Sequence, residues 1–190
     1  RAVSPLDPRS KADIRSGGMT GGDRMGDPHH YARHYAKYLR RFLDYQSPTI
    51  VECGILNGSG LALWSDLFPH AHLIGLDIDL NHFEHNLPNL LRLGAFEHSR
   101  PNLIEFDQFS PDITELAAAL QGQSIDIFID DGFHSEATIL DTFSAVSSLL
   151  SPDFVYFAED NSRVCERVRE LAGKSKVSCH GQLTVVEGRA

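Results

Sequence analysis

The sequence predicts an α/β protein built on one doubly wound, mostly parallel β-sheet. Five short apolar segments rich in β-branched residues alternate with segments of helical periodicity, which is the pattern of repeated strand-helix-strand units. These strands are apolar along most of their length, as expected when helices cover both faces of a sheet. Two further strand-like segments around Gly181 predict a C-terminal antiparallel hairpin, so the sheet should contain seven strands.

The first predicted element is an amphipathic helix within residues 29–45. One face of this helix carries Tyr31, Tyr35, Tyr38, Leu39 and Phe42, and Ser47-Pro48 ends it. Before it, residues 1–28 contain glycine pairs, prolines and charges without periodicity, which predicts an arm or loop. We therefore divide the chain into an N-terminal arm, residues 1–28, and one folded domain, residues 29–190.

The remaining elements follow from alternating apolar runs and helical spacings. We predict strands at residues 49–54, 72–79, 102–107, 125–130 and 154–160, and hairpin strands at 176–179 and 183–186. Helices are predicted near residues 61–67, 81–93, 113–120, 135–150 and 164–171. Pro88 predicts an interruption of the second of these helices, and Ser151-Pro152-Asp153 predicts the end of the fourth.

Composition limits the class of protein. The chain has 190 residues, 42% of them hydrophobic, which fits one globular domain, and its net charge of −9 disfavours nucleic acid or an anionic membrane as main partner. It shows no signal peptide, no apolar run of about 20 residues, and three cysteines without a CxxC motif. A soluble cytoplasmic protein is therefore expected. Pairing of protomers through the arm stays open, as does a portion before Arg1, because the chain does not begin with Met.

Acidic residues end two successive strands. One strand runs into Asp130-Asp131, and the next runs into Glu159-Asp160. A right-handed crossover makes such strands parallel, so both pairs reach the same sheet edge, about 4.8 Å apart if the strands are neighbours. Clustered carboxylates repel one another unless a cation or shared protons intervene. The pattern predicts a metal site with oxygen ligands, Mg²⁺ first, in which Asp130 supports the ligands or binds cofactor because its side chain points away from that of Asp131.

The loop after the first strand indicates which cofactor the sheet would hold. Gly54, Gly58 and Gly60 have the spacing G-x-x-x-G-x-G, which matches neither the dinucleotide fingerprint nor the P-loop. Glu52, just before this loop, would repel a pyrophosphate but would suit an ammonium group. S-adenosylmethionine carries an ammonium and a sulfonium and no phosphate. We therefore predict that Glu52 and the loop residues Gly54, Gly58 and Ser59 contact this cofactor.

Two further acids close the second and third strands. Asp77 lies about 20 residues beyond the glycine loop, where an acid can bind both ribose hydroxyls. Asp107 would accept a hydrogen bond from the adenine amino group. Either carboxylate would instead serve as a helix cap if no cofactor is bound.

The ordered set of strand-end residues resembles the class I S-adenosylmethionine-dependent methyltransferases, which have a Rossmann-like fold, from about Thr49 to the end of the chain. A narrower likeness rests on the segment 129–134, which reads Ile-Asp-Asp-Gly-Phe-His, on Glu159-Asp160, and on Gly22-Asp23-Arg24 with His29-His30-Tyr31. These residues resemble the metal-dependent macrolide sugar O-methyltransferases of the mycinamicin type and the related cephalosporin-hydroxylase-like proteins. Phe133 stands where that family often has serine, and the chain after Asp160 is short.

The resemblance implies that Asp131, Glu159 and Asp160 bind Mg²⁺ and that His134 is the catalytic base. Methyl transfer to an alcohol needs the hydroxyl proton removed, and Asp131 with His134 would supply the metal and the base. The expected function is an S-adenosylmethionine-dependent O-methyltransferase acting on a hydroxyl of a small molecule or glycosylated natural product.

Two alternatives stay open at this point. The first is a non-catalytic S-adenosylmethionine-binding protein that acts as partner of another enzyme. The second is a Rossmann-type oxidoreductase, which Glu52 and the glycine spacing disfavour. His134 would then be an ordinary residue at a helix start, bonded to backbone.

Overall fold

A computed structural model describes residues 29–188 of the chain, and the predicted N-terminal arm lies outside these described residues. Its centre is a seven-stranded sheet with strand order β3-β2-β1-β4-β5-β7-β6. The strands are β1 Thr49–Cys53, β2 His72–Asp77, β3 Asn102–Glu105, β4 Ile125–Asp130, β5 Leu150–Ala158, β6 Lys176–His180 and β7 Leu183–Glu187. The first five are parallel, and β7 is antiparallel to β5 and β6. The predicted fold class, a mostly parallel sheet with a C-terminal hairpin, is confirmed.

Helices cover both faces of the sheet. They are α1 Ala32–Leu39, α2 Ser59–Leu67, α3 Asn81–Arg92, α4 Thr114–Leu120, α5 Glu136–Val146 and α6 Cys165–Leu171, and short 3-10 helices follow α1 at Arg40–Asp44 and α5 at Ser147–Leu149. One apolar core lies between the sheet and helices α4, α5 and α6, and another lies under α1 and α2.

Side-chain alternation along β5 assigns its residues to these two cores. Phe154, Tyr156 and Ala158 belong to the core of α4 to α6, whereas Val155 and Phe157 belong to the core under α1. The same alternation in β4 gives Phe128 to the first core and Ile129 to the second. This alternation therefore sets the face of the sheet toward which the first acid at the end of each strand points.

Two local predictions were wrong. Pro88 lies inside a continuous helix α3, because Phe83, Asn86 and Leu90 are buried along one face and hold it, while Pro88 lies on the exposed face. Residues 151–153 do not end a helix but belong to β5, which begins at Leu150. The β4–β5 register shifts at this point, and a bulge accommodates a proline that cannot donate to the ladder.

Two of the three cysteines are paired, although three cysteines without a CxxC motif predict a reducing compartment. Cys165 at the start of α6 and Cys179 in β6 form a disulfide with a Cα–Cα distance of 5.9 Å, because helix and strand pack side by side. Cys53 is free and buried in the core. Among the helices of residues 29–188, none combines the length and apolar character that crossing a bilayer requires.

Candidate active site

Backbone hydrogen bonds beyond the strand ends fix the carboxyl edge of the sheet. The N–H of Asp131 donates to the carbonyl of Cys53 at 2.8 Å, and the N–H of Glu159 donates to the carbonyl of Asp130 at 2.9 Å. The tails of β1, β4 and β5 are therefore joined where the acids occur. The predicted adjacency of the two acidic strand ends is present in the structure.

Three side chains converge at this edge: Asp131, His134 and Asp160. Each offers one possible ligand atom, and these atoms lie within 4.8 Å of one another. His134 Nε2 is 3.9 Å from Asp131 Oδ1, and both side chains are about one-third exposed, at 33% and 29%. We call these three residues the acid–histidine group. Its partial exposure suits a site that must admit a ligand.

The backbone of two members of this group is unusual. His134 has φ +62° and Asp160 has φ +58°, in the left-handed region that residues other than glycine seldom occupy. Such conformations cost of order 1–3 kcal/mol and persist where surrounding contacts impose them. Asn161 supplies two of these contacts, since its side-chain amide donates to the carbonyl of His134 at 2.8 Å and its N–H donates to Gln182 at 3.0 Å. The strain therefore coincides with the residues that carry the predicted chemistry.

Two side chains on the N-terminal side of α1 contact Asp160. Tyr31 Oη donates to Asp160 Oδ1 at 2.7 Å, and His29 Nδ1 lies 3.1 Å from the same oxygen. Burial, followed by the hydrogen bond from its hydroxyl to Asp160, raises the pKa of Tyr31 far above its usual range. The phenol therefore stays protonated and acts as a donor to Asp160.

Glu159 is oriented differently from its neighbour. It is 2% exposed, and Tyr35 Oη of α1 donates to its Oε1. This direction continues the α1 side of β5 that Val155 and Phe157 begin. The structure thus brings Asp131 and Asp160 together with His134, and it places Glu159 against Tyr35. That Glu159 binds metal stays a prediction.

Asp130 takes a supporting position on the opposite face. It is 1% exposed and accepts hydrogen bonds from Tyr156 Oη at 2.7 Å and Gln108 Nε2 at 2.8 Å. Burial is the main cause that raises the pKa of this carboxyl. Gln108 Oε1 in turn accepts from the N–H of Phe133 at 2.8 Å, so Asp130 acts through Gln108 on the loop that carries Asp131 and His134.

Close packing against other segments of the chain explains two glycines of the loop after β1. A Cβ on Gly54, whose φ is +85°, would lie 2.1 Å from the carbonyl oxygen of Asp131, and one on Gly58, whose φ is +75°, would lie 2.4 Å from the Phe83 ring. Gly58 immediately precedes α2, which starts at Ser59. Packing between the chain's own segments therefore requires both glycines, and contact of Gly54, Gly58 and Ser59 with a cofactor stays a prediction.

The remaining predicted cofactor acids lie at the same edge. Asp77 accepts backbone hydrogen bonds from Leu56 at 2.9 Å and Asp79 at 3.1 Å, and Asp107 accepts one from Phe109 at 2.9 Å. Glu52 is 1% exposed within β1, the central strand between β2 and β4. Neither aspartate caps a helix, because α3 and α4 begin at Asn81 and Thr114 without a side-chain capping bond, so the bonds of Asp77 and Asp107 hold loop backbone instead. Each carboxylate has further acceptor capacity.

Sequence reasoning assigned no role in the site to Tyr35 or Gln108, and it named His29 and Tyr31 only among the residues that carry the family resemblance. Tyr35 was recognised as part of a packing face only. The chemical identity of the tyrosines was an available signal, because phenols at positions 31, 35 and 38 bring a row of hydroxyls that Leu or Phe would not. Gln108 follows a short strand and had no distinguishing pattern.

The chain is similar to known methyltransferases in sequence and in fold. No family model matches the chain. In sequence it is 29% identical over 133 residues to mycinamicin VI 2''-O-methyltransferase of Micromonospora griseorubida, an alignment that covers 65% of this chain and 30% of that relative. The chain therefore spans only part of this enzyme.

Solved structures of methyltransferases are also similar to this chain. The methyltransferase MycE of the mycinamycin pathway, in complex with Mg, SAH and mycinamycin VI, superposes with a TM-score of 0.69 at 21% identity over 97% of this chain and 56% of that one. The O-methyltransferase TomG of Streptomyces achromogenes, in complex with SAM, gives 0.62 at 12% identity over 97% and 92% of the two chains.

The fold is that of the class I S-adenosylmethionine-dependent methyltransferases. The resemblance to the mycinamicin-type enzymes is likewise confirmed, as a likeness of sequence and structure.

Proposed function

We propose that this chain is an S-adenosylmethionine-dependent O-methyltransferase that works with a divalent cation, Mg²⁺ first. The observation that carries the proposal is the acid–histidine group at the carboxyl edge of a methyltransferase-type sheet. Ligands of open α/β sheets bind at this edge. Support comes also from MycE, whose structure contains Mg and SAH, and from TomG, whose structure contains SAM.

The donor set fits such a cation. Asp131 and Asp160 bring carboxylate oxygens within 4.8 Å of each other, and two carboxylates at that separation repel unless a positive charge lies between them. Carboxylate oxygens are the ligands that Mg²⁺ prefers. Asp131 and Asp160 would hold the ion, with Glu159 as the third predicted ligand. Bound there, Mg²⁺ would supply positive charge that orients the acceptor hydroxyl and lowers its pKa.

His134 would serve as base rather than as ligand, because Mg²⁺ favours oxygen over imidazole nitrogen. In methyl transfer the acceptor oxygen forms a bond to the methyl carbon, the sulfur–carbon bond of the sulfonium breaks, and the hydroxyl proton leaves. His134 Nε2, next to Asp131, would accept that proton. Asn161 holds the His134 backbone in the conformation that presents the ring.

The cofactor would lie along the ends of β1, β2 and β3. Glu52 would bind its ammonium group, Asp77 the ribose hydroxyls, and Asp107 the adenine amino group, with Gly54, Gly58 and Ser59 along its length. The acceptor would be a hydroxyl of a small molecule or glycosylated natural product. Oligomeric state and the predicted cytoplasmic location stay predictions.

A calorimetric titration of the full chain with S-adenosylmethionine, with and without Mg²⁺, tests the proposal. We expect cofactor binding together with Mg²⁺ binding that Asp131→Asn strongly weakens. Cofactor binding without any metal binding would contradict the metal-dependent mechanism and would favour the binding-protein alternative. Tight NAD binding without S-adenosylmethionine binding would overturn the methyltransferase proposal altogether.

A further inference from the structure

Three tyrosines on one face of the first helix point their hydroxyls along the edge of the site. Tyr31 immediately precedes α1, and Tyr35 and Tyr38 follow it four and seven residues later, a spacing that aligns side chains on a helix. All three are buried, at 3%, 2% and 3% exposure. Their hydroxyls bond Asp160, Glu159 and His180, respectively.

The rings alone account for packing. Tyr35 contacts Phe157 with ring centroids 4.3 Å apart and Trp64 at 5.1 Å, and Tyr38 contacts Phe157 at 6.2 Å. A phenylalanine would fill this core equally well, and a buried hydroxyl costs free energy unless it is hydrogen-bonded. Packing therefore does not explain the hydroxyl groups, whereas the hydrogen bonds to Asp160 and Glu159 explain those of Tyr31 and Tyr35.

Each hydrogen bond fixes one oxygen of a carboxylate. Tyr31 and His29 both address Oδ1 of Asp160, and Tyr35 addresses Oε1 of Glu159. Groups that hold the outer oxygen of a ligating carboxylate orient it toward a metal ion. Because α1 packs on β5 and β7 through the core under it, the helix gives these donors a rigid support.

We propose that Tyr31 and Tyr35 are positioning residues that hold Asp160 and Glu159 in the orientation from which the site binds its divalent cation. This inference rests on the proposed function, and it extends the site to the segment before β1. Helix α1 is then part of the metal centre as well as part of the core. The His29 contact to Asp160 belongs to the same support.

Tyr31→Phe is the decisive variant. Asp160 is 23% exposed and keeps its contact with His29, so loss of the phenol hydroxyl does not leave a fully buried, unpaired charge. We expect its affinity for Mg²⁺, or for Mn²⁺ as a paramagnetic probe, to fall about 10- to 100-fold. Tyr35→Phe should lower the same affinity. Affinity for S-adenosylhomocysteine should not change in either variant.

Tyr38→Phe is the matched control. It removes the same group from the same helix face at equal burial, but its hydroxyl contacts His180 rather than an acid of the site. Its metal affinity should match that of the unmodified chain. Thermal unfolding without metal checks that all three variants fold; should Tyr35→Phe fail this check, Tyr31→Phe carries the test.

The outcomes separate this inference from the proposed function. Calorimetry with Mg²⁺ and electron paramagnetic resonance with Mn²⁺ are run on the full chain, on the tyrosine variants and on Asp160→Asn. If Asp160→Asn loses the metal while Tyr31→Phe binds as tightly as Tyr38→Phe, the positioning role is wrong and the metal site stands. If the unmodified chain binds no metal, the metal-dependent function itself fails.

Discussion

The tails of β4 and β5 carry the same kind of acidic pair but support it in different ways. In each pair the first acid is buried and the second reaches the acid–histidine group. Asp130 accepts hydrogen bonds from Tyr156 of the neighbouring strand and from Gln108, on the face of the sheet opposite α1. Glu159 faces the other layer and depends on Tyr35 of α1. One site is therefore held from both faces of the sheet.

Substitutions that remove the support of the two tails should therefore have different effects. In the β4 tail, Gln108 bonds Asp130 and also the loop backbone at Phe133, so loss of this support should lower stability. In the β5 tail, Tyr31 and Tyr35 bond the two acids, so loss of their hydroxyls should lower metal affinity.

The largest effect on the β4 tail should come from Gly54→Ala. The new Cβ would lie 2.1 Å from the Asp131 carbonyl oxygen, which is backbone and cannot move aside cheaply. We expect a loss of about 4 kcal/mol or more in the free energy of unfolding, measured by urea denaturation.

Gly122→Ala is the control for backbone strain. Gly122 has nearly the same φ, +84°, but a Cβ there would meet nothing within 4 Å. Its cost should be only about 1–2 kcal/mol, from the left-handed conformation alone. Equal losses for the two variants would show that the approach of β1 to the β4 tail is not what requires Gly54.

Asp131→Asn tests the member of the β4 pair that reaches the site. Removal of its charge should weaken Mg²⁺ binding by roughly a hundredfold or more, with little change in stability, because the side chain is partly exposed. Isothermal titration calorimetry measures the first quantity and thermal unfolding the second. Retained Mg²⁺ affinity would remove Asp131 from the metal centre.

Gln108→Leu tests the support behind that residue. It would leave buried Asp130 with one fewer donor and the partly buried Phe133 N–H without its acceptor. We expect a loss of about 2–3 kcal/mol in unfolding free energy by urea denaturation. Gln46→Leu, at an exposed position, should cost little, and a similar loss in both variants would contradict the supporting role of Gln108.

The smallest expected effect is the contribution of a histidine pair to the pH dependence of stability. His34 and His180 stack with ring centroids 4.1 Å apart, and burial first, then nearby Arg33 and Lys37, lowers the pKa of both imidazoles from 6.5. Between the lowered value and 6.5 the unfolded chain binds more protons than the folded chain. Stability should therefore decrease as pH falls below about 6.5.

His34→Gln isolates this contribution, because it removes one of the two groups and the stacking. The variant should lose less stability than the unmodified chain between pH 7 and pH 5, measured as the shift in melting temperature. Parallel pH curves for the two proteins would show that the histidine pair does not contribute in this range.

Much of the fold followed from local pattern. The strand at 125–130 and the hairpin around Gly181 were placed within one or two residues, because apolar runs bounded by glycine or acids have few other solutions. The predicted interruption at Pro88 was wrong because the low helix propensity of one residue is outweighed by the packing of Phe83 and Leu90 on the same helix. The Cys165–Cys179 bond was missed because spacing along the chain does not report which helix lies beside which strand.

The sequence by itself determined that acids end adjacent parallel strands and that His134 follows one of them, since these facts depend on order along the chain and on the handedness of crossovers. Only the tertiary structure decided which acid of each pair joins the acid–histidine group and which one is buried against Gln108 or Tyr35. The reason is physical. Alternation in a strand fixes the face of a residue, but the left-handed turns at His134 and Asp160 and the partners on the opposite layers depend on three-dimensional packing.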